Sequence, residues 1–219
     1  MIRHLERKPL TATAKAPLLI FLHGFGSHEA DLFGLGEAFD PRFHVLSLRA
    51  PLTLGPTQYA WFTMRWEESG PIHDQVQAAE ALRKVVGFLE SEVPNFPVDP
   101  QQVYLVGFSQ GAIVATSVLL TRPELVSGVV AWSGRTLPEV IPTAPGPLAL
   151  QGKPVLVIHG TEDRVLPIQH GRVTAEALSK LPVKLTYREF SMGHEVNDQS
   201  LAATQEWVTR LLELLEFRP

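Results

Sequence analysis

The stretch Val103-Tyr104-Leu105-Val106-Gly107-Phe108-Ser109-Gln110-Gly111-Ala112-Ile113-Val114-Ala115-Thr116-Ser117-Val118-Leu119-Leu120 decides how this chain is read. Val103–Val106 is a short apolar run of strand character, and Ala112–Thr121 reads as a helix. Between them a serine stands flanked by Gly107 and Gly111. Gly-x-Ser-x-Gly at a strand-to-helix turn is the pattern of a nucleophile elbow. Such a turn is so tight that a side chain at either flanking position would meet neighbouring backbone, which glycine avoids. The serine is pushed outward, where a base can reach it, and the helix N-terminus behind it aims N–H groups at any negative charge that develops there. The five letters alone would also fit a helix start capped by a serine. Their weight therefore comes from the flanking runs and from what the rest of the chain supplies.

Outward from this stretch, strand-like and helix-like runs alternate. Pro17–Leu22, Phe43–Leu48, Val126–Trp132, Val155–Ile158 and Leu185–Phe190 read as strands. Asp74–Val93 carries Val76, Ala79, Leu82, Val86, Leu89 and Val93 at helical spacing and ends at Pro94 and Pro97. Ile168–Leu181 and Leu201–Leu215 read as further helices. Two segments break the rhythm: a Pro-, Gly- and Trp-rich stretch from Pro51 to about Pro71, read as a long loop, and a proline-rich excursion over Pro138–Pro154. The βαβα alternation predicts an α/β fold, a mostly parallel twisted sheet with helices on both faces. No linker, composition shift or repeat divides residues 1–219, so one domain is expected.

In sheets of this kind, reactive residues gather at the C-terminal ends of the strands. His159-Gly160-Thr161-Glu162-Asp163 follows one strand-like run, and Ser191-Met192-Gly193-His194-Glu195 follows another. The order Ser109, Asp163, His194 is the nucleophile–acid–histidine order of the α/β-hydrolases. A serine hydroxyl becomes a useful nucleophile when a base takes its proton. An imidazole of pKa near ~6.5 suits that task, so His194 is the candidate base. Asp163 is the candidate acid that orients it, with Glu162 and Glu195 as alternatives. The oxyanion formed on attack needs preorganised donors. The N–H of Gln110 is the first candidate, and the N–H of Phe25, in Leu22-His23-Gly24-Phe25-Gly26, is the second. His23 and His159 are read as structural, hydrogen-bonded residues, and His4, His28, His44, His73 and His170 as surface or packing residues.

Composition limits the alternatives. The net charge of −4 comes from mixed signs with no basic patch, so nucleic acid is not expected as a partner. There is no cysteine, hence no disulfide, thiolate metal site or Cys nucleophile. No His pair has the spacing of a helical zinc motif and no acidic run resembles a calcium loop, so no metal and no cofactor are expected. Met1–Pro9 has charges but no apolar stretch behind them, and no run approaches the roughly 20 residues of a membrane helix. A cytoplasmic location without stable membrane insertion is the resulting expectation.

Leu22-His23-Gly24-x-Gly26, Gly107-Phe108-Ser109-Gln110-Gly111, His159-Gly160-Thr161-Glu162-Asp163 and Gly193-His194 together resemble the phospholipase/carboxylesterase group of α/β-hydrolases. That group includes acyl-protein thioesterases and many small bacterial carboxylesterases. The resemblance spans roughly Pro17 to Leu215, and Ala50-Pro51 followed by Ala60-Trp61-Phe62 also looks like the group's. It implies Ser109, Asp163 and His194 as the triad and the amides of Phe25 and Gln110 as oxyanion donors. Ser27-His28-Glu29 stands where the thioesterases usually carry an aspartate, and Ala112 where they carry a second glycine; both departures make the chain look more like the bacterial carboxylesterases. For the substrate pocket, the candidates are Phe25, Trp61, Phe62, Met64, Trp66, Leu137 and Val165, a set suited to an acyl or alkyl chain. Core packing is the alternative for Phe62 and Met64. The expected activity is hydrolysis of small carboxylic esters through an acyl-enzyme. A lysophospholipase or acyl-protein thioesterase is the alternative, and a catalytically inactive hydrolase-fold binding protein is the alternative of another class. A homodimer is compatible with an exposed Trp66.

Overall fold

The apolar runs are near-continuous rather than alternating, and strands of that kind have to be covered on both faces. The computed structural model describes residues 2–11, 15–67 and 70–216; the side chains of Trp66, Pro71, Pro142, Leu215 and Glu216 lie outside the described set. In chain order the elements are β1 (His4–Arg7), β2 (Ala16–Leu22), α1 (Glu29–Phe33), β3 (His44–Leu48), β4 (Leu52–Gly55), β5 (Gln58–Ala60), β6 (Met64–Glu67), β7 (Gly70–His73) and α2 (Gln75–Ser91). There follow β8 (Val98–Phe108), α3 (Gln110–Thr121), β9 (Gly128–Trp132), α4 (Pro147–Leu150), β10 (Pro154–Gly160), α5 (Ile168–Ser179), β11 (Lys184–Phe190) and α6 (Asp198–Glu216).

Seven strands form one sheet in the order β1-β3-β2-β8-β9-β10-β11. β3, β2, β8, β9, β10 and β11 run parallel, and β1 closes the edge antiparallel to β3. The pleat sends alternate residues to opposite faces. Leu18, Ile20 and Leu22 of β2 join a core that includes residues of α2 and α3, whereas Leu19 and Phe21 join a second core with Leu32 of α1 and with Val208 and Leu212 of α6. All five of these β2 side chains are fully buried. Each contributes about 1.5–3 kcal/mol of transfer free energy, so the central strands anchor both layers. α3 is buried from Gln110 through Leu120. A helix apolar all round in this way belongs in an interior.

Several expectations needed correction. The Pro51–Pro71 stretch is not a featureless loop: it folds into two antiparallel hairpins, β4–β5 and β6–β7. Leu52, Thr53 and Gly55 pair with Ala60, Tyr59 and Gln58 across a turn whose Gly and Pro masked the strands. β8 begins at Val98 rather than Val103, because the register between β2 and β8 jumps from Ala16↔Val98 to Leu18↔Val103. Asp99 accepts from the Gln101 amide inside that bulge, which leaves a polar interruption in the apolar run. β1 and the five-residue α1 are too short and polar to stand out in the sequence. The short α4 falls inside the Pro138–Pro154 stretch, which was read without a helix, and the remaining elements lie close to the expected runs. Asp74 is the N-cap of α2 rather than its first turn, accepting from the Gln77 amide at 2.9 Å. Among the described residues, no helix is long and apolar enough to cross a membrane.

Candidate active site

Every candidate polar residue follows the C-terminal end of a parallel strand. Ser109 follows β8, Asp163 follows β10, His194 follows β11, and the His23–Gly26 loop follows β2. Ser109 has φ 53° and ψ −113°, a left-handed conformation outside the ordinary range of a residue with a side chain. The turn is held by the Ser109 amide donating to the Trp132 carbonyl at 2.8 Å. The flanking glycines are sterically required. A Cβ on Gly107 would lie 2.3 Å from the Gly111 carbonyl oxygen, and one on Gly111 would lie 1.9 Å from that of Leu22. Ala112 packs its methyl group where Gly134 leaves room, since a Cβ there would sit 2.5 Å from it.

The histidine and acid loops are tied to each other. The Thr161 amide donates to the Phe190 carbonyl at 2.8 Å, and that of Glu162 to the Met192 carbonyl at 3.1 Å. This registers Asp163 against His194, whose Nδ1 lies 2.7 Å from Asp163 Oδ2, while His194 Nε2 lies 2.9 Å from Ser109 Oγ. A carboxylate only accepts, so Nδ1 carries the proton and Nε2 is left to accept from the serine hydroxyl. The other Asp163 oxygen, Oδ1, accepts from the Val165 and Leu166 amides at 2.9 and 2.7 Å. The Asp163 side chain is fully buried and that of His194 15% exposed. The alternatives for the acid stand elsewhere: Glu162 accepts from the Ser191 hydroxyl, and Glu195 is exposed.

Three supports surround this trio, of which only the structural role of His159 was expected. The Phe108 ring packs against the His194 imidazole at 4.9 Å between centroids. His159, fully buried, donates from Nε2 to the Leu166 carbonyl at 2.7 Å and lies 3.4 Å from Asp163 Oδ2. Burial pushes its pKa down, so it stays neutral. Gln110 is 1% exposed, and its side chain is fully engaged: Oε1 accepts from the Trp61 amide and Nε2 donates to the Phe62 carbonyl, both at 2.7 Å. The backbone amides of Gln110 and Phe25, by contrast, donate to no acceptor among the described residues. The loop carrying Phe25 abuts the elbow, for a Cβ on Gly24 would lie 3.4 Å from that of Ser109.

The apolar candidates separate into two groups. Phe25 and Val165 present 43% and 49% of their surface beside the trio, and Met64 is half-buried. Trp61, Phe62 and Leu137 are 1%, 1% and 3% exposed and pack in the core, the alternative already open for Phe62. The indole of Trp61 is accommodated there because its Nε1–H donates to the His23 carbonyl at 2.9 Å. Trp66 lies on β6 opposite Pro71, its side chain outside the described set. A cleft of about 680 Å³ lined by Arg3, Arg49, Tyr59, Lys84 and Phe88 shares no lining residue with Ser109, Asp163 and His194. Among the described residues, no three His, Asp or Glu side chains converge as a metal site.

A parallel sheet of this order, covered by helices on both faces and carrying a strained serine between its fourth-placed strand and the helix behind it, has the α/β-hydrolase fold. The chain belongs to the phospholipase/carboxylesterase family, whose model matches residues 10–212. It is similar to a protein of Oryza sativa subsp. japonica named a probable inactive carboxylesterase, at 29% identity over 92% of this chain and 88% of the relative. It is also 29% identical to the esterase YpfH of Escherichia coli, over 84% of this chain and 78% of that one. The crystal structure of esterase PE8 superposes with a TM-score of 0.81 at 26% identity, covering 96% and 99% of the two chains. Family and fold together assign the chain to the hydrolases.

Proposed function

We propose that this protein is a serine carboxylesterase that hydrolyses small carboxylic esters by way of an acyl-enzyme. The observation that carries the reading is His194, bonded on one side to Ser109 and on the other to the buried Asp163. Ser109 Oγ attacks the ester carbonyl carbon as its proton passes to His194 Nε2. The carbonyl oxygen becomes an oxyanion, held by the free amides of Gln110 and Phe25 and favoured by the N-terminus of α3. Collapse expels the alcohol, which takes the proton back from His194, and leaves the acyl group on Ser109. Water then follows the same path, releasing the acid and restoring the hydroxyl. Asp163 holds the tautomer and stabilises the imidazolium. The exposed apolar surfaces of Phe25 and Val165 beside the trio favour an acyl or alkyl chain over a charged group.

The name of the rice relative, a probable inactive carboxylesterase, raises a hydrolase fold without catalysis. The unbroken Ser109–His194–Asp163 chain of hydrogen bonds favours the catalytic reading for this chain. The test is turnover of p-nitrophenyl acetate and butyrate by the wild type and by Ser109→Ala. Hydrolysis is expected in the first and abolished in the second; near wild-type turnover in the variant would sink the assignment. Running longer acyl chains, a lysophospholipid and an acyl-thioester beside these esters separates a lysophospholipase or thioesterase from a short-ester carboxylesterase.

A further inference from the structure

The two amides assigned to the oxyanion lie on different elements, one on the elbow after β8 and one on the loop after β2, so something must fix their separation. The segment Tyr59–Phe62, which runs from β5 towards β6, touches both. On the β2 side, the Trp61 indole donates to the His23 carbonyl at 2.9 Å, and the Gly26 amide donates to the Tyr59 carbonyl at 2.9 Å. On the elbow side, the Gln110 side chain holds the same segment from both directions, through the Trp61 amide and the Phe62 carbonyl. His23 completes the loop's restraint. Its Nε2 accepts from the Ala50 amide at 3.0 Å, so the proton sits on Nδ1, which donates to the Gly24 carbonyl at 2.8 Å. His23, Trp61, Phe62 and Gln110 are all between 0% and 1% exposed, so water cannot take over these bonds.

We propose that Trp61 and the Gln110 side chain are positioning residues: through the Tyr59–Phe62 segment they set the distance and direction of the Phe25 amide relative to the Gln110 amide. Gln110 thus acts twice, its N–H on the oxyanion and its carboxamide on the segment that aims the other donor. The inference rests on the esterase reading. A structural clamp of this kind acts on the transition state and leaves ground-state binding alone, because the two donors meet their full partner only when the carbonyl oxygen is charged.

The test is Trp61→Phe, which keeps a buried aromatic ring and removes the indole donor together with part of the ring's volume. For p-nitrophenyl butyrate, kcat is expected to fall about ten- to hundred-fold, the scale of a small misplacement of catalytic groups, with KM within about two-fold. Affinity for a trifluoromethyl ketone, to which Ser109 adds to give a tetrahedral oxyanion, should fall by the same factor as kcat. Gln110→Met, which keeps the length and neutrality of the side chain and removes both of its hydrogen bonds to the segment, serves as the second variant and should show the same split. Unchanged kcat and ketone affinity in a variant that melts cooperatively, or a loss confined to KM, would overturn the proposal. Full turnover in Ser109→Ala would instead defeat the esterase reading beneath it.

Discussion

Ser109 occupies a backbone conformation that costs about 1–3 kcal/mol, and the residues around it show what holds it there. Gly111 is the tightest point, since a methyl group would enter the carbonyl of Leu22, a residue of the central strand β2 that cannot recede. Gly111→Ala is therefore expected to destabilise the fold by about 3 kcal/mol, read as a lower denaturant midpoint at unchanged slope. A wild-type midpoint would mean the elbow relaxes freely and is not under the constraint described. At this scale much was legible. Gly107, Ser109 and Gly111 announce the turn because no other residues fit it, and Asp163 and His194 stand directly after apolar runs. Trp61 was not legible. Its burial depends on a hydrogen bond to the His23 carbonyl, and no local pattern records where an indole N–H finds a distant backbone acceptor.

Among the elements, the parallel strands could be read because burial on both faces leaves continuous apolar runs, as in β2 and β10. The hairpins β4–β5 and β6–β7 escaped because they form two-stranded sheets of their own rather than joining the main one. Their residues are half-exposed, and Gly and Pro outweigh the alternation. Yet the segment between them carries the Trp61 and Phe62 contacts with Gln110, so the elements hardest to read are those that brace the site. The bulge in β8 belongs to the same class. It is set by the register with β2, a long-range property that residues 98–103 do not express on their own.

At the scale of the whole molecule, three histidines among the described residues are fully buried: His23, His44 and His159. Burial is the main cause pushing each pKa below the ordinary imidazole value, so each is held neutral in the fold. The unfolded chain titrates near ~6.5. Their contribution to stability is therefore full above that pH and is lost as pH falls towards the lowered folded values. Each histidine that charges on unfolding steepens the loss by up to about 1.4 kcal/mol per pH unit. The melting temperature is expected to fall progressively from pH 7 to pH 5. A flat or rising profile over that range would mean the buried imidazoles are solvated or paired as cations.

The most direct test of acyl transfer through Ser109 is covalent labelling by a fluorophosphonate, followed by intact-mass and peptide mass spectrometry. Attack by an activated serine displaces fluoride and leaves a stable phosphonyl adduct, so the reagent reports the nucleophile and its base together. The expected result is one adduct per chain, on Ser109, absent in Ser109→Ala and formed far more slowly in His194→Ala. An unlabelled wild type, or an adduct that persists in Ser109→Ala, would contradict the assignment of Ser109 as the nucleophile.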